Sequence, residues 1–139
     1  MDIGLKGKPL QSVLVEYTLR LQFADVYFVV VESPFQLEVN GMSVLLSPEE
    51  DADEAFEPIR QLVGQTVEAA NADENGRLSI RFSNGTQMMV PPDKDYEAWS
   101  SSGPNGALVV CTPGGKLAIW SGQADETIVQ PDASKQNPG

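Results

Sequence analysis

Phe35-Gln36-Leu37-Glu38-Val39-Asn40-Gly41-Met42-Ser43-Val44-Leu45-Leu46 decides the fold class. Apolar side chains recur at every second position on both sides of Asn40-Gly41. That dipeptide favours a two-residue type I′ hairpin loop, because both of its positions accept positive φ. Such a loop pairs Val39 with Met42, Leu37 with Val44 and Phe35 with Leu46. All six then share one face of an antiparallel ribbon, so period and turn chemistry specify the same register.

The same period runs upstream. Leu19, Leu21 and Phe23 alternate with Arg20 and Gln22, which makes a half-buried strand. Val26-Tyr27-Phe28-Val29-Val30-Val31 has no polar face and predicts a central strand covered on both sides. Downstream the pattern returns. Gly7-Lys8-Pro9-Leu10 leads through Leu19–Phe23 to the Val26 run, and Gly64-Gln65-Thr66-Val67 leads through Leu78-Ser79-Ile80-Arg81-Phe82 to Met88-Met89-Val90. Turns fall at Asp73–Gly76 and Asn84-Gly85. Both copies stop at proline, Ser33-Pro34 and Pro91-Pro92, because proline cannot donate to a ladder. Two copies are too few for a solenoid and predict two related meanders facing one core.

Between the copies, Ser47-Pro48-Glu49-Glu50 has the chemistry of a helix start, and Pro58 rules out one long helix from there to Leu62. The expectation is a short acidic turn, then a short helix from Phe56 or Glu57 to Gly64, burying Phe56, Ile59, Leu62 and Val63. Ser100-Ser101-Ser102 before Gly103-Pro104 reads as loop. Ala107–Cys111 and Leu117–Trp120 flank Pro113-Gly114-Gly115 as a final hairpin. A Gly114-Gly115 loop sets Val110 opposite Ile119, with Val109 against Trp120 and Cys111 against Ala118, and Trp120 in the core. The expected fold is mostly β (β-rich α+β), of about nine or ten short strands. Two repeated antiparallel meanders and a closing hairpin form a roll or partly open barrel with one short central helix. It occupies residues 1–120 as a single domain. Residues 121–139 read as a polar tail with Thr127-Ile128-Val129 as its one docking point.

Composition bounds the function. The 139 residues fit one domain with a sizeable core. The chain carries a net charge of −11, no histidine and one cysteine. Without histidine the commonest general base and the commonest metal ligand are missing, so no enzyme activity and no cofactor are expected. The negative surface repels nucleic acid and favours either solubility or a basic protein partner. No apolar run reaches the roughly 20 residues of a membrane helix. Met1–Leu10 lacks a secretory core, so no membrane association and a cytoplasmic location are expected.

Individual motifs weigh the same way. Cys111 sits in an apolar strand without a histidine, which makes it a buried inert thiol. Asn71, Asp73, Asn75 and Gly76 match four positions of a calcium loop, but Phe82 stands where its bidentate glutamate is required. Asp93, Asp95 and Glu97 alternate, yet Ala98 replaces the loop glycine. The strongest candidate by composition is the acidic run Glu49, Glu50, Asp51, Asp53, Glu54 and Glu57, which contains no base. These six, with Asp93, Asp95 and Glu97, are the candidate partner-binding residues.

Tyr96-Glu97-Ala98-Trp99, Gly103-Pro104, Leu108–Cys111 and Pro113-Gly114-Gly115 closing on Trp120 carry a resemblance. The chain resembles a family of short bacterial, mainly actinobacterial, proteins known as a domain of unknown function, over roughly Gly7 to Trp120. Some members look like immunity proteins of interbacterial toxin systems, and no catalytic residues come with the resemblance. It implies an acidic module that binds a protein partner, a basic toxin, and blocks its active site. Two other expectations stand beside it. One is a structural accessory subunit docking by a strand edge into a larger assembly. The other is a small-molecule binder in a barrel mouth lined by Tyr96, Trp99 and Trp120.

Overall fold

The alternating segments pair as two antiparallel sheets in the computed structural model, which describes residues 1–121. The expectations for the tail beyond Ser121, Thr127–Val129 included, lie outside the described residues. The first copy of the repeat forms β1 (Leu10–Val15), β2 (Leu19–Phe23) and β3 (Tyr27–Val31). The second forms β6 (Val67–Ala72), β7 (Leu78–Phe82) and β8 (Gln87–Val90). β4 (Phe35–Val39) and β5 (Met42–Leu46) extend the second meander, giving the order β5-β4-β8-β7-β6. β9 (Trp99–Ser102), β10 (Leu108–Cys111) and β11 (Leu117–Trp120) extend the first, giving β1-β2-β3-β9-β10-β11. The β4–β5 hairpin has the register that Asn40-Gly41 dictates, with Val39 opposite Met42 and Phe35 opposite Leu46.

The repeat is visible in the backbone. Leu10 N donates to Gln65 O at 2.9 Å and Val67 N to Lys8 O at 3.0 Å, while Gly7 N donates to Val67 O and Gly64 N to Leu10 O, each at 2.8 Å. Exchanging Gly7–Leu10 with Gly64–Val67 maps this set of bonds onto itself. A local two-fold therefore passes between Pro9 and Thr66, which form an isolated bridge. Proline is tolerated there because its symmetry mate, Thr66, also sends its amide elsewhere, to Ser83 Oγ at 3.3 Å. Phe23 and Phe82, equivalent in the two copies, are buried with ring centroids 6.4 Å apart and planes 21° from parallel. The sheets are thus joined along β1 and β6 and open along β5 and β11. The result is a roll rather than a closed barrel.

One buried cluster serves both sheets, with Leu21, Val29 and Trp99 from one and Leu37, Ile80 and Met88 from the other. In β3 only Val29 and Val31 are fully buried, while Tyr27, Phe28 and Val30 are partly exposed. The strand is central in its sheet, but a two-layer structure covers only one of its faces. The acidic turn forms as a 3₁₀ turn, Asp53–Phe56, followed by the single helical turn α1 (Glu57–Arg60). Phe56, Ile59 and Leu62 are buried, whereas Val63 is exposed. Gly64, at φ +98°, turns the chain there toward Leu10.

Two further expectations fail. Ser100–Ser102 is not loop but part of β9, paired with β3 on one side and β10 on the other. The final hairpin closes over three residues rather than two. Thr112 N donates to Lys116 O and Gly115 N to Thr112 O, each at 2.9 Å, and Gly114 and Gly115 both have positive φ. Proline at the second position and glycine at the third are the requirements of a type II turn. Leu108 therefore faces Trp120 and Val109 faces Ile119. This one-residue slip moves the whole of β11 to the other face, so Trp120 is 54% exposed and Trp99 is the core tryptophan.

Candidate functional site

The acidic run leaves β5 through a turn in which Glu50 N and Asp51 N both donate to Ser47 O. The Asp51 carboxylate accepts from Ser47 N at 2.7 Å, closing that turn. Asp53 forms an ion pair with Arg60, which also donates to the Asp53 carbonyl at 3.1 Å. Two of the six carboxylates thus have local structural work, and the run is not free of base once folded. Glu49, Glu50, Glu54 and Glu57 are exposed, and their side chains make no hydrogen bond among the described residues.

Asp93 is likewise structural. Its Oδ1 accepts from Asp95 N at 2.8 Å and Tyr96 N at 3.1 Å, and its carbonyl accepts from Gly114 N at 2.8 Å. Asp95 and Glu97 are exposed. Glu97 precedes Ala98, whose carbonyl accepts from Glu32 N at 2.8 Å, so Glu32 and Glu97 come together where β3 ends and β9 begins. Partial desolvation and, second, the nearby Glu97 carboxylate push the Glu32 carboxyl above its ordinary pKa. Composition did not single out Glu32. Its signal was a lone acid between the buried Val31 and Ser33-Pro34, where the chain passes from one sheet to the other. Because Phe35 pairs with Leu46, the segment after Glu32 also lies beside the exit of β5 into the acidic run. Topology therefore gathers Glu32, Glu97 and the start of the run at one end of the roll.

The other candidates are absorbed by the fold. Cys111 is buried, its thiol donates to Gly76 O at 3.3 Å, and burial raises its pKa. Asp73 Oδ1 accepts from Asn75 N at 2.8 Å and Arg77 N at 3.0 Å, and these amides hold the carboxyl below its usual pKa. The calcium-like spacing thus makes a hairpin turn, and no metal-holding group of three such ligands occurs among the described residues. The aromatic trio does not converge on a mouth: Trp99 is buried, whereas Tyr96 is 73% exposed.

Fold and surface together define a two-sheet β-roll domain with a carboxylate-rich end. The chain belongs to a family of unknown function, DUF6188, which matches residues 1–121. No curated protein and no solved structure matches the chain. No helix among the described residues is long and apolar enough to cross a membrane.

Proposed function

We propose that this domain is a non-enzymatic protein-binding module whose carboxylate-rich end receives a basic partner, as an immunity protein neutralises a toxin in the bacterial cytoplasm. The observation that carries this reading is the set of exposed, unengaged carboxylates Glu49, Glu50, Glu54 and Glu57. Near the start of that run, Glu32 and Glu97 repel one another. Such a surface costs stability in the free protein, and a docked cation offsets that cost while steering the encounter.

Charge reversal tests it. Glu49→Lys, Glu50→Lys and Glu54→Lys together leave Asp51 and Asp53 in their structural contacts. The triple variant should keep its melting temperature and fail to capture the partner that the wild type recovers from native lysate. The wild-type complex should also weaken steeply as salt rises. Recovery of the same partner by the variant refutes the reading.

A second reading, an accessory subunit docked by a strand edge, rests on the uncharged open strand β5, where Met42 and Leu45 are 76% and 66% exposed. Salt separates the two, because edge docking should be insensitive to it.

A further inference from the structure

A groove of about 510 Å³ opens where the N-terminal segment meets the far edge of the six-stranded sheet. Met1 and Ile3 line it from one side, and Val109, Ile119 and Trp120 from the other. The first wall is fixed in place. The Met1 ammonium donates to Ala72 O at 2.6 Å, Ala72 N donates to Met1 O at 2.8 Å, and Ile3 N donates to Ala70 O at 3.2 Å. The second wall follows from register. Val29, Ser101, Val109 and Ile119 lie opposite one another across four strands and so share a face. Along that row burial gives out, from Val29 in the core to Ile119 at 53% exposure.

Ser101 lies within this row, lines the groove and is only 6% exposed. Its hydroxyl has no hydrogen-bond partner among the described residues. A buried hydroxyl left without a partner costs about 1–3 kcal/mol, so folds rarely keep one without use. The volume falls in the range of small-molecule sites, roughly 300–1,000 Å³, and among the lining residues Ser101 is the one buried polar side chain. The charged groups at the groove are occupied: the Met1 ammonium by Ala72, and the Asp2 carboxylate by Gly4 N at 2.7 Å.

We infer that this groove binds a neutral, largely apolar small molecule that packs on Val109 and Ile119 and offers one hydrogen-bonding group to Ser101 Oγ. The site is separate from the acidic end and does not depend on it.

Two fluorescent probes of similar shape test the inference on the full chain: N-phenyl-1-naphthylamine, which has one N–H, and 1-benzylnaphthalene, which has none. Both should bind saturably. Ile119→Asp should abolish binding of both, and Tyr96→Ala, an exposed aromatic outside the groove, should leave both unchanged. Ser101→Ala should weaken the amine about fivefold, the worth of one ordinary hydrogen bond, and leave the hydrocarbon unaffected. Far-UV circular dichroism and thermal melting confirm that each variant is folded. Absence of saturable binding overturns the inference, as does an equal loss for both probes in Ser101→Ala. Binding that emerges only when the chain is cut after Ser121 also overturns it, because the occupant is then the chain's own C-terminal segment. So does a dimer that dissociates as the probe binds, because the occupant is then a second copy.

Discussion

The indole N–H of Trp99 donates to the carbonyl of Gly76 at 2.9 Å, and the Cys111 thiol donates to the same oxygen at 3.3 Å. One carbonyl in the β6–β7 turn thus fastens β9 and β10 of the opposite sheet. The two turns meet there almost without side chains. A Cβ on Gly76 would stand 2.3 Å from Gly115 O, and one on Gly115 would stand 2.2 Å from Asn75 O.

Gly76→Ala should therefore be costly, since it combines positive φ with a backbone clash. The left-handed conformation costs about 1–2 kcal/mol and overpacking about 1–3, giving roughly 2–5 kcal/mol by urea denaturation. Gly41→Ala is the control. Its φ is also positive, but nothing lies within 4 Å, so it should lose only about 1–2 kcal/mol. Equal losses at the two sites would show that the turns are not in contact.

The thiol of Cys111 should be silent in the folded protein. Burial raises its pKa and so depletes the thiolate, the reactive form, at neutral pH. Ellman's reagent should modify it at the rate of global unfolding and promptly in urea. Fast modification of the native protein would place the thiol at the surface.

Glu32→Gln should stabilise the protein at pH 7. A carboxyl whose folded pKa is raised binds its proton more readily when folded than unfolded. Its contribution to stability is therefore present below the ordinary carboxylate pKa and lost as pH rises through the raised value. The advantage of glutamine should shrink as pH falls through that window. Urea midpoints measured across pH check this, and a gain independent of pH would assign it to packing instead.

Leu45→Lys should suppress concentration-dependent association without lowering the melting temperature. β5 is an open edge with Met42, Val44 and Leu45 exposed, and it carries neither charge nor proline. A lysine is the residue that natural edge strands use to prevent such pairing. Light scattering at rising concentration measures it, and unchanged association would move the sticky surface elsewhere.

Where local chemistry and hydrophobic period agreed, the sequence was sufficient. Asn40-Gly41 and the alternation around it fix a register that the fold reproduces pair by pair, and the two copies of the repeat fold as matching meanders. The last hairpin was not legible for a physical reason. Val109, Val110, Ala118 and Ile119 are apolar on both faces, so a one-residue slip leaves the pattern unchanged, and Pro113-Gly114-Gly115 admits a loop of two or three residues. β9 escaped because three serines have no apolar period; they belong to a strand by position, between β3 and β10. Among the acids, composition located the cluster but could not separate Asp51, Asp53 and Asp93, held by local donors, from the glutamates left facing solvent. Only the path of the chain brings Glu32 to Glu97.

The two-fold at Pro9 and Thr66 also governs the order in which the chain can fold. Met1 to Leu10 find their hydrogen-bond partners in Gln65 to Ala72, so the first meander has an unpaired flank until the second is made. On the ribosome the N-terminal strand must wait while some sixty residues are added behind it. Its contact order is high, and closure of that long loop precedes any gain from pairing. The symmetric seam that joins the sheets thus closes only after both meanders have been made, and half of this chain made alone would be a meander without its neighbour.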